Sequence, residues 1–240
     1  MKLTDKVYLV GGAAYGYSAT GDCNVYMIDG GGSLALVDTG GGAGIPSILG
    51  NIERMGFDPG DIEIAFVTHC HYDHIGGNKV LKEKTGCDIA AHEAEVEDIE
   101  GLGELTLYSM GVENGLSFEA TGVDDVLHGG ETLGVGETEV EVIHTPGHTP
   151  GGISLVMTEG DSTVLFPGDT ASAQGKLGFI NGPGFNLPDW KSSIKKILDV
   201  EPDMMFPGHG VFVLSGTTEH LVQYDVKLNA PWTTVVTTEG

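Results

Sequence analysis

Short apolar runs alternate with glycine-rich breaks along the whole chain, and the runs predict its elements. Val7-Tyr8-Leu9-Val10, Asn24 to Ile28 and Leu34-Ala35-Leu36-Val37 read as strands, the last two joined by a turn over Asp29 to Gly32. Ile45 to Met55 has helical period, with Pro46 tolerated in a first turn and Gly56 as the stop. Ile64 to Val67 is a strand of the buried type, Asn78 to Lys84 a short helix before Gly86, and Asp88 to Ala91 a further strand. Strands return at Val123 to Leu127, Val140 to Ile143, Ile153 to Met157, Thr163 to Phe166 and Asp203 to Phe206. Pro188 to Val200 and Gly216 to Leu228 read as helices. Between His92 and Gly122 the pattern weakens. Glu93 to Glu100 keeps a helical period, and Tyr108, Met110 and Phe118 stand among polar residues. That stretch fits a pocket cover or an ordinary helical connection, the cover being preferred. Strands and helices interleave in both halves with no linker between them, which predicts one α/β domain over residues 1–240 with mixed sheets.

Composition narrows the function classes. The chain has 240 residues, 40 % of them apolar, enough for a sizeable core. Acidic side chains number 35 against 11 basic ones, for a formal net charge of -24, and Arg54 is the only arginine. Phosphate backbones need clustered cations, so nucleic acid is not an expected partner. The acidity reads as a solvated, salt-tolerant surface rather than a dock for a cationic partner. No apolar run approaches the ~18–20 residues of a membrane span, and the opening Met1 to Lys6 lacks the apolar stretch of a secretory leader. Cys23, Cys70 and Cys87 are odd in number and irregular in spacing, so they read as free thiols in a reducing compartment, the cytoplasm. A homodimer is left open.

The chemistry concentrates where the strand ending at Val67 runs into Thr68-His69-Cys70-His71-Tyr72-Asp73-His74. Imidazole nitrogen and carboxylate oxygen are the usual ligands of zinc and similar divalent cations. His69 and His71, two apart, fall on one side of an extended segment, with Cys70 turned away into packing. The rest arrives in a repeated form. Three predicted strands each lead to Pro-Gly followed by a ligand-type residue: Pro146-Gly147-His148, Pro167-Gly168-Asp169 and Pro207-Gly208-His209. Proline fixes φ and glycine permits sharp turns, so each pair can end a strand and aim the next side chain. If the three strands share an edge, the side chains converge on one rim. Seven ligands, His69, His71, Asp73, His74, His148, Asp169 and His209, exceed one tetrahedral cation and suit two with a bridging carboxylate. His92, His128, His144 and His220 are expected to be ordinary surface or core groups.

His69-Cys70-His71-Tyr72-Asp73-His74 resembles the H-x-H-x-D-H signature of the metallo-β-lactamase superfamily, and His148, Asp169 and His209 resemble its later motifs in order and approximate spacing. Leu36-Val37-Asp38-Thr39-Gly40 resembles its early strand-Asp element. The resemblance implies a four-layer αββα sandwich of two mixed sheets flanked by helices. It implies that His69, His71 and His148 hold a first cation, that Asp73, His74 and His209 hold a second, that Asp169 bridges, and that Asp38 orients a ligating histidine. The cofactors implied are two divalent ions, zinc first, iron or manganese as alternatives. The ligand pattern is most similar to the glyoxalase II-like, hydroxyacylglutathione hydrolase-like branch. β-Lactamases of this fold usually carry Cys or Ser where Asp169 stands, and acyl-homoserine lactonases carry a Tyr where Thr170-Ala171-Ser172 follows. Lys227 is the only cation after His209, so the glutathione grip of glyoxalase II is not expected, and the tRNA-processing branch conflicts with the net charge.

The expected activity is hydrolysis of an ester, thioester or lactone of a small molecule by activated hydroxide, with Asp73 as proton acceptor or relay. Persulfide dioxygenases share the Thr-His-Cys-His-x-Asp-His opening around a single iron, and they and β-lactam hydrolysis are the alternatives. The pocket is expected from Leu102 to Phe118 and from Ala171 to Trp190, with Lys176, Phe179, Phe185 and Trp190 as candidate lining residues.

Overall fold

The computed structural model describes residues 1–178 and 181–231, so the expectation for Phe179 lies outside the described residues. In chain order the elements are β1 (Val7–Gly11), β2 (Val25–Asp29), β3 (Leu34–Val37), α1 (Ile45–Arg54), β4 (Ile62–Phe66), α2 (Tyr72–Ile75), α3 (Asn78–Thr85) and β5 (Asp88–His92). They continue with α4 (Val96–Gly101), α5 (Tyr108–Glu113), β6 (Asp125–Leu127), β7 (Thr132–Val135), β8 (Thr138–His144) and β9 (Ile153–Glu159). β10 (Ser162–Phe166), α6 (Leu187–Asp199), β11 (Met204–Met205) and α7 (Thr217–Asn229) complete the order. Two sheets result, one in the order β1-β2-β3-β4-β5-β6 and one in the order β11-β10-β9-β8-β7.

Side-chain alternation builds the layers. Along β1, Val7 and Leu9 enter a core with Tyr26, Ile28, Val37 and Phe66 on one side and Val142, Leu155, Val164 and Phe166 on the other. That core lies between the sheets. Tyr8 and Val10 point the opposite way, into a second core with Met27, Leu36, Ile45, Ile48, Ile52 and Leu81, under α1 and α3. Val156 and Leu165 leave the second sheet on its outer face and pack on Trp190, Ile194, Ile197, Leu221 and Tyr224 of α6 and α7. Successive strand residues face opposite sides, so a strand buried on both reads as a continuous apolar run. The order helix, sheet, sheet, helix follows. α1 turns Ile45, Ile48 and Ile52 inward at spacings of three and four, and α6 starts at Asn186, whose side chain accepts from Asp189 N.

Two differences from the sequence expectation have plain causes. The strand expected over Asp203 to Phe206 shrinks to Met204–Met205, bracketed by Pro202 and Pro207, which cannot donate to a ladder. β7 was not expected, because Thr-Leu-Gly-Val at an exposed edge shows little apolar signal.

Strand direction positions the site. β9 is antiparallel to both β8 and β10, and β11 is parallel to β10. β8, β10 and β11 therefore run the same way and end on one edge. The first sheet is tied to that edge: Thr68 O accepts from Ile153 N at 2.8 Å, and Pro207 O accepts from Tyr26 Oη at 2.9 Å and Asn24 Nδ2 at 3.0 Å.

Candidate metal centre

The loop after β4 is extended to His71 (φ -61°, ψ 146°) and then tightens into α2, which presents Asp73 and His74 beside the two earlier rings. The three Pro-Gly turns supply the rest. In all three the glycine is required by close approach: at Gly168, φ is 53° and a Cβ would stand 2.6 Å from the buried Thr68 Oγ1. At Gly147, φ is 135° and a Cβ would run into the backbone of Trp190. At Gly208 a Cβ would stand 2.5 Å from Asp169 Oδ1 and 2.7 Å from His74 Cε1.

All seven residues meet. His69 Nε2 and His148 Nε2 each lie 3.1 Å from His71 Nδ1. His209 Nε2 lies 3.3 Å from His74 Nε2 and 3.0 Å from Asp73 Oδ2, with His74 Nε2 3.8 Å from that oxygen. The ligand atoms thus form two compact triplets, His69/His71/His148 and Asp73/His74/His209. Asp169 stands between them: its Oδ2 is 3.6 Å from both His148 Nε2 and His209 Nε2, and its Oδ1 is 3.7 Å from His74 Nε2. Those separations are too long for hydrogen bonds. A tetrahedral cation with metal–nitrogen bonds of about 2.0–2.1 Å sets its ligand atoms about 3.3–3.4 Å apart, close to what both triplets show. Asp169 Oδ1 and His148 Nδ1 are also buried with no hydrogen-bond partner.

The electrostatics of the triplets differ. Burial, reinforced by the neighbouring rings, pushes His69 well below the usual imidazole range, and His71 falls to about 3. His148 is also lowered, chiefly by burial. These rings keep the neutral form that binds metals. Burial opposes charge on His74, but Cys23, Asp38, Asp73 and Asp169 outweigh it and hold its pKa well up. Asp169 foremost raises His209. Burial alone would raise Asp73 and Asp169, yet the surrounding histidines hold both carboxyls below their ordinary value. This second half of the site carries surplus negative charge that attracts protons, as it would attract a cation.

Asp38 sits behind the rings, at φ 62°, with 1 % of its surface exposed. Its Oδ1 accepts from Thr68 N at 2.7 Å, and its Oδ2 lies 2.8 Å from His74 Nδ1 and accepts from Thr68 Oγ1 at 2.9 Å. Thr68 Oγ1 is in turn 3.2 Å from His69 Nδ1. One buried carboxyl therefore bears on a ring of each triplet. Thr68 was not anticipated, although its place directly before His69 was the available signal.

A cavity of about 500 Å³ opens over the site, with His71, Asp73, Asp169 and His209 on its floor. Leu107, Met110, Leu177 and Val211 give it apolar walls, and Lys176 lines it as well. The stretch after β5 does cover the pocket, through Leu107 and Met110, while Phe118 packs instead on Tyr108 and the first core. Trp190 and Phe185 require correction as pocket residues. Trp190 is fully buried: its Nε1 donates to Thr170 O at 2.7 Å, and its ring backs that of His148 at 5.7 Å. Phe185 packs edge-on against Trp190 in the outer core. The helical period that turned Trp190 inward with Ile194 and Ile197 decided this. Cys70 is buried and belongs to neither triplet. His92 and His144 stack on each other, and His220 Nδ1 accepts from Gln174 N, all apart from the triplets.

Among curated proteins, the Drosophila melanogaster "Beta-lactamase-like protein 2 homolog" is 29 % identical over 78 % of this chain and 58 % of its own length. A "Hydroxyacylglutathione hydrolase" of Brucella ovis is 37 % identical over 52 % of this chain and 38 % of its own. The match thus spans less than two thirds of either relative. Among solved structures, BJP-1, a subclass B3 metallo-β-lactamase of Bradyrhizobium japonicum, superposes with a TM-score of 0.77 at 25 % identity, covering 98 % of this chain and 92 % of that one. A family profile described as the metallo-beta-lactamase superfamily matches residues 19–209, a span that begins before β2 and ends on His209 itself. With both sheets, the flanking helices and the shared edge accounted for, the chain belongs to the metallo-β-lactamase superfamily.

Proposed function

We propose that this chain is a metal-dependent hydrolase that cleaves an ester, thioester or lactone of a small molecule. The observation that carries the proposal is the pair of triplets with Asp169 between them. Two divalent cations fit that donor set, zinc first, with iron and manganese served by the same ligand types. His69, His71 and His148 would hold one, Asp73, His74 and His209 the other, with Asp169 shared. When bound, such a pair lowers the pKa of water towards ~7 and polarises a carbonyl oxygen.

The chain's own residues supply the rest. Asp38 and Thr68 fix ring orientation from behind. Asp73, on the cavity floor and 3.0 Å from His209 Nε2, accepts the proton released as water adds to the carbonyl carbon. Leu107, Met110, Leu177 and Val211 receive the apolar part of the acyl compound and exclude bulk water from it. The similarity to hydroxyacylglutathione hydrolases supports a thioester or ester. Asp169 supports the same choice over a β-lactam.

The proposal includes a cytoplasmic setting, supported by three buried, unpaired thiols. Among the described residues no helix is long and apolar enough to cross a membrane. No nucleic-acid partner is proposed, given the net charge of -24.

The test is cation counting on protein purified without chelators, followed by p-nitrophenyl esters, thioesters, lactones and a cephalosporin. Two cations per chain with turnover of an ester, thioester or lactone is the expected result. One iron per chain with oxygen uptake on a persulfide, or turnover of the cephalosporin alone, would overturn it.

A further inference from the structure

We propose that Glu95 is a positioning residue for the three-imidazole pocket, holding the His69–His71 loop and the His148 turn in register against each other. The inference rests on the reading of that pocket as a cation site. Glu95 lies in the short turn between β5 and α4 and is 1 % exposed. Its Oε1 accepts from Gly151 N at 2.8 Å in a buried bond. The approach is close: a Cβ on Gly151 would stand 2.7 Å from Glu95 Cγ. Cys70 and Thr149 lie against the same carboxyl. Cys70 is the residue between His69 and His71, and Thr149 follows His148. One side chain is therefore bonded to the His148 turn at Gly151 and neighbours Cys70 of the loop that carries His69 and His71.

The opposite side of the His148 turn is held by α6, where Ser193 Oγ donates to Pro146 O at 2.7 Å. The other triplet has different anchors. Thr39 N and Oγ1 both donate to His74 O at 2.9 Å, Cys23 N donates to Asp73 O at 3.3 Å, and Asp38 bonds to the His74 ring. Among the described residues no lysine or arginine pairs with Glu95, and burial pushes its pKa up despite the bond from Gly151 N. A carboxyl so placed anchors the His148 turn through Gly151 N beside Cys70 of the neighbouring loop, and its removal frees the two segments to drift apart.

The experiment titrates metal-free protein with Zn²⁺, and with Co²⁺ for its visible spectrum, against a chromophoric chelator. The variants are Glu95→Ala, Glu95→Gln and Glu95→Asp, with His148→Ala and His209→Ala marking the two sites. Glu95→Ala is expected to weaken one of two binding steps by about tenfold or more, the range seen when a ligand's supporting partner is lost, and to leave the other within about twofold. The weakened step is the one lost in His148→Ala. Glu95→Gln keeps an acceptor for Gly151 N and restores the affinity. Should Glu95→Ala fail to fold, Glu95→Asp, too short to reach Gly151, is expected to weaken the same step. Equal weakening of both steps, weakening of the step lost in His209→Ala, or no weakening would overturn this inference alone. A wild-type protein that takes up no cation at His69, His71 and His148 would overturn it together with the proposed function.

Discussion

Replacing Asp38 by Asn tests how much of the site is set from behind. The carboxyl accepts three bonds, from Thr68 N, from Thr68 Oγ1 and from the His74 ring. In Asp38→Asn the amide oxygen still serves Thr68 N, and asparagine tolerates the left-handed backbone at φ 62°. The amide nitrogen now faces Thr68 Oγ1 and His74 Nδ1. The hydroxyl can rotate to accept, but the ring must choose. If Nδ1 keeps its proton, donor faces donor, a loss of about 1–3 kcal/mol for an unsatisfied buried pair. If Nδ1 accepts, the proton moves to Nε2, the atom that faces Asp73 and His209. The second arrangement avoids the donor clash, so the metal-free protein adopts it; a cation at that triplet must then restore the unfavourable tautomer, and its affinity should fall by about 10- to 100-fold. Stability to urea should change little in Asp38→Asn. Asp38→Ala, which strands all three donors, should cost roughly 3 kcal/mol or more. Chelator competition reads the first quantity and urea denaturation the second. An Asp38→Asn protein that binds both cations as tightly as the wild type would refute the tautomer argument.

Three further outcomes follow from the same geometry. Asp73→Ala should cut kcat far more than it raises KM on whichever substrate the screen finds, because the proton acceptor is lost while the apolar walls remain; unchanged kcat would remove that role. Gly208→Ala should abolish binding at both triplets by driving a methyl into Asp169 and His74, whereas Gly134→Ala, on an open strand, should be silent; equal behaviour of the two would contradict the close approach. His92 is buried, its Nδ1 accepting from Ala94 N and its ring stacked on His144, and burial first and His144 second lower its pKa. The folded chain thus favours neutral His92, so its contribution is complete above the ordinary imidazole pKa of about 6.5 and is lost as pH falls below that towards the folded value. The stability difference between wild type and His92→Asn should therefore shrink between pH 7.5 and 5, and a difference flat with pH would count against it.

Much of the site was legible because its ligands are local or carry a repeated mark. Four of the seven fall between His69 and His74, and the other three each follow Pro-Gly. The glycines mark positions where side chains crowd, as at Gly208, and that crowding is what makes the sequence pattern readable. The pocket was less legible. Trp190 among glycines looks like a lining residue until the period of α6 turns it into the core beside His148. Glu95 gave no sign at all, because a glutamate in a polar run resembles any solvated one until Gly151 approaches it from residues far away in the chain.

The sequence by itself determined most of the strands and helices and the identity of the groups that gather cations, since these depend on period, turn chemistry and residue type over a few neighbours. Tertiary structure alone decided that β8, β10 and β11 run in one direction, so that three distant turns open on one edge. It also decided which side chains back the rings and which face the cavity. Those outcomes depend on strand pairing and on contacts between segments far apart in the chain, which no local pattern of residues encodes.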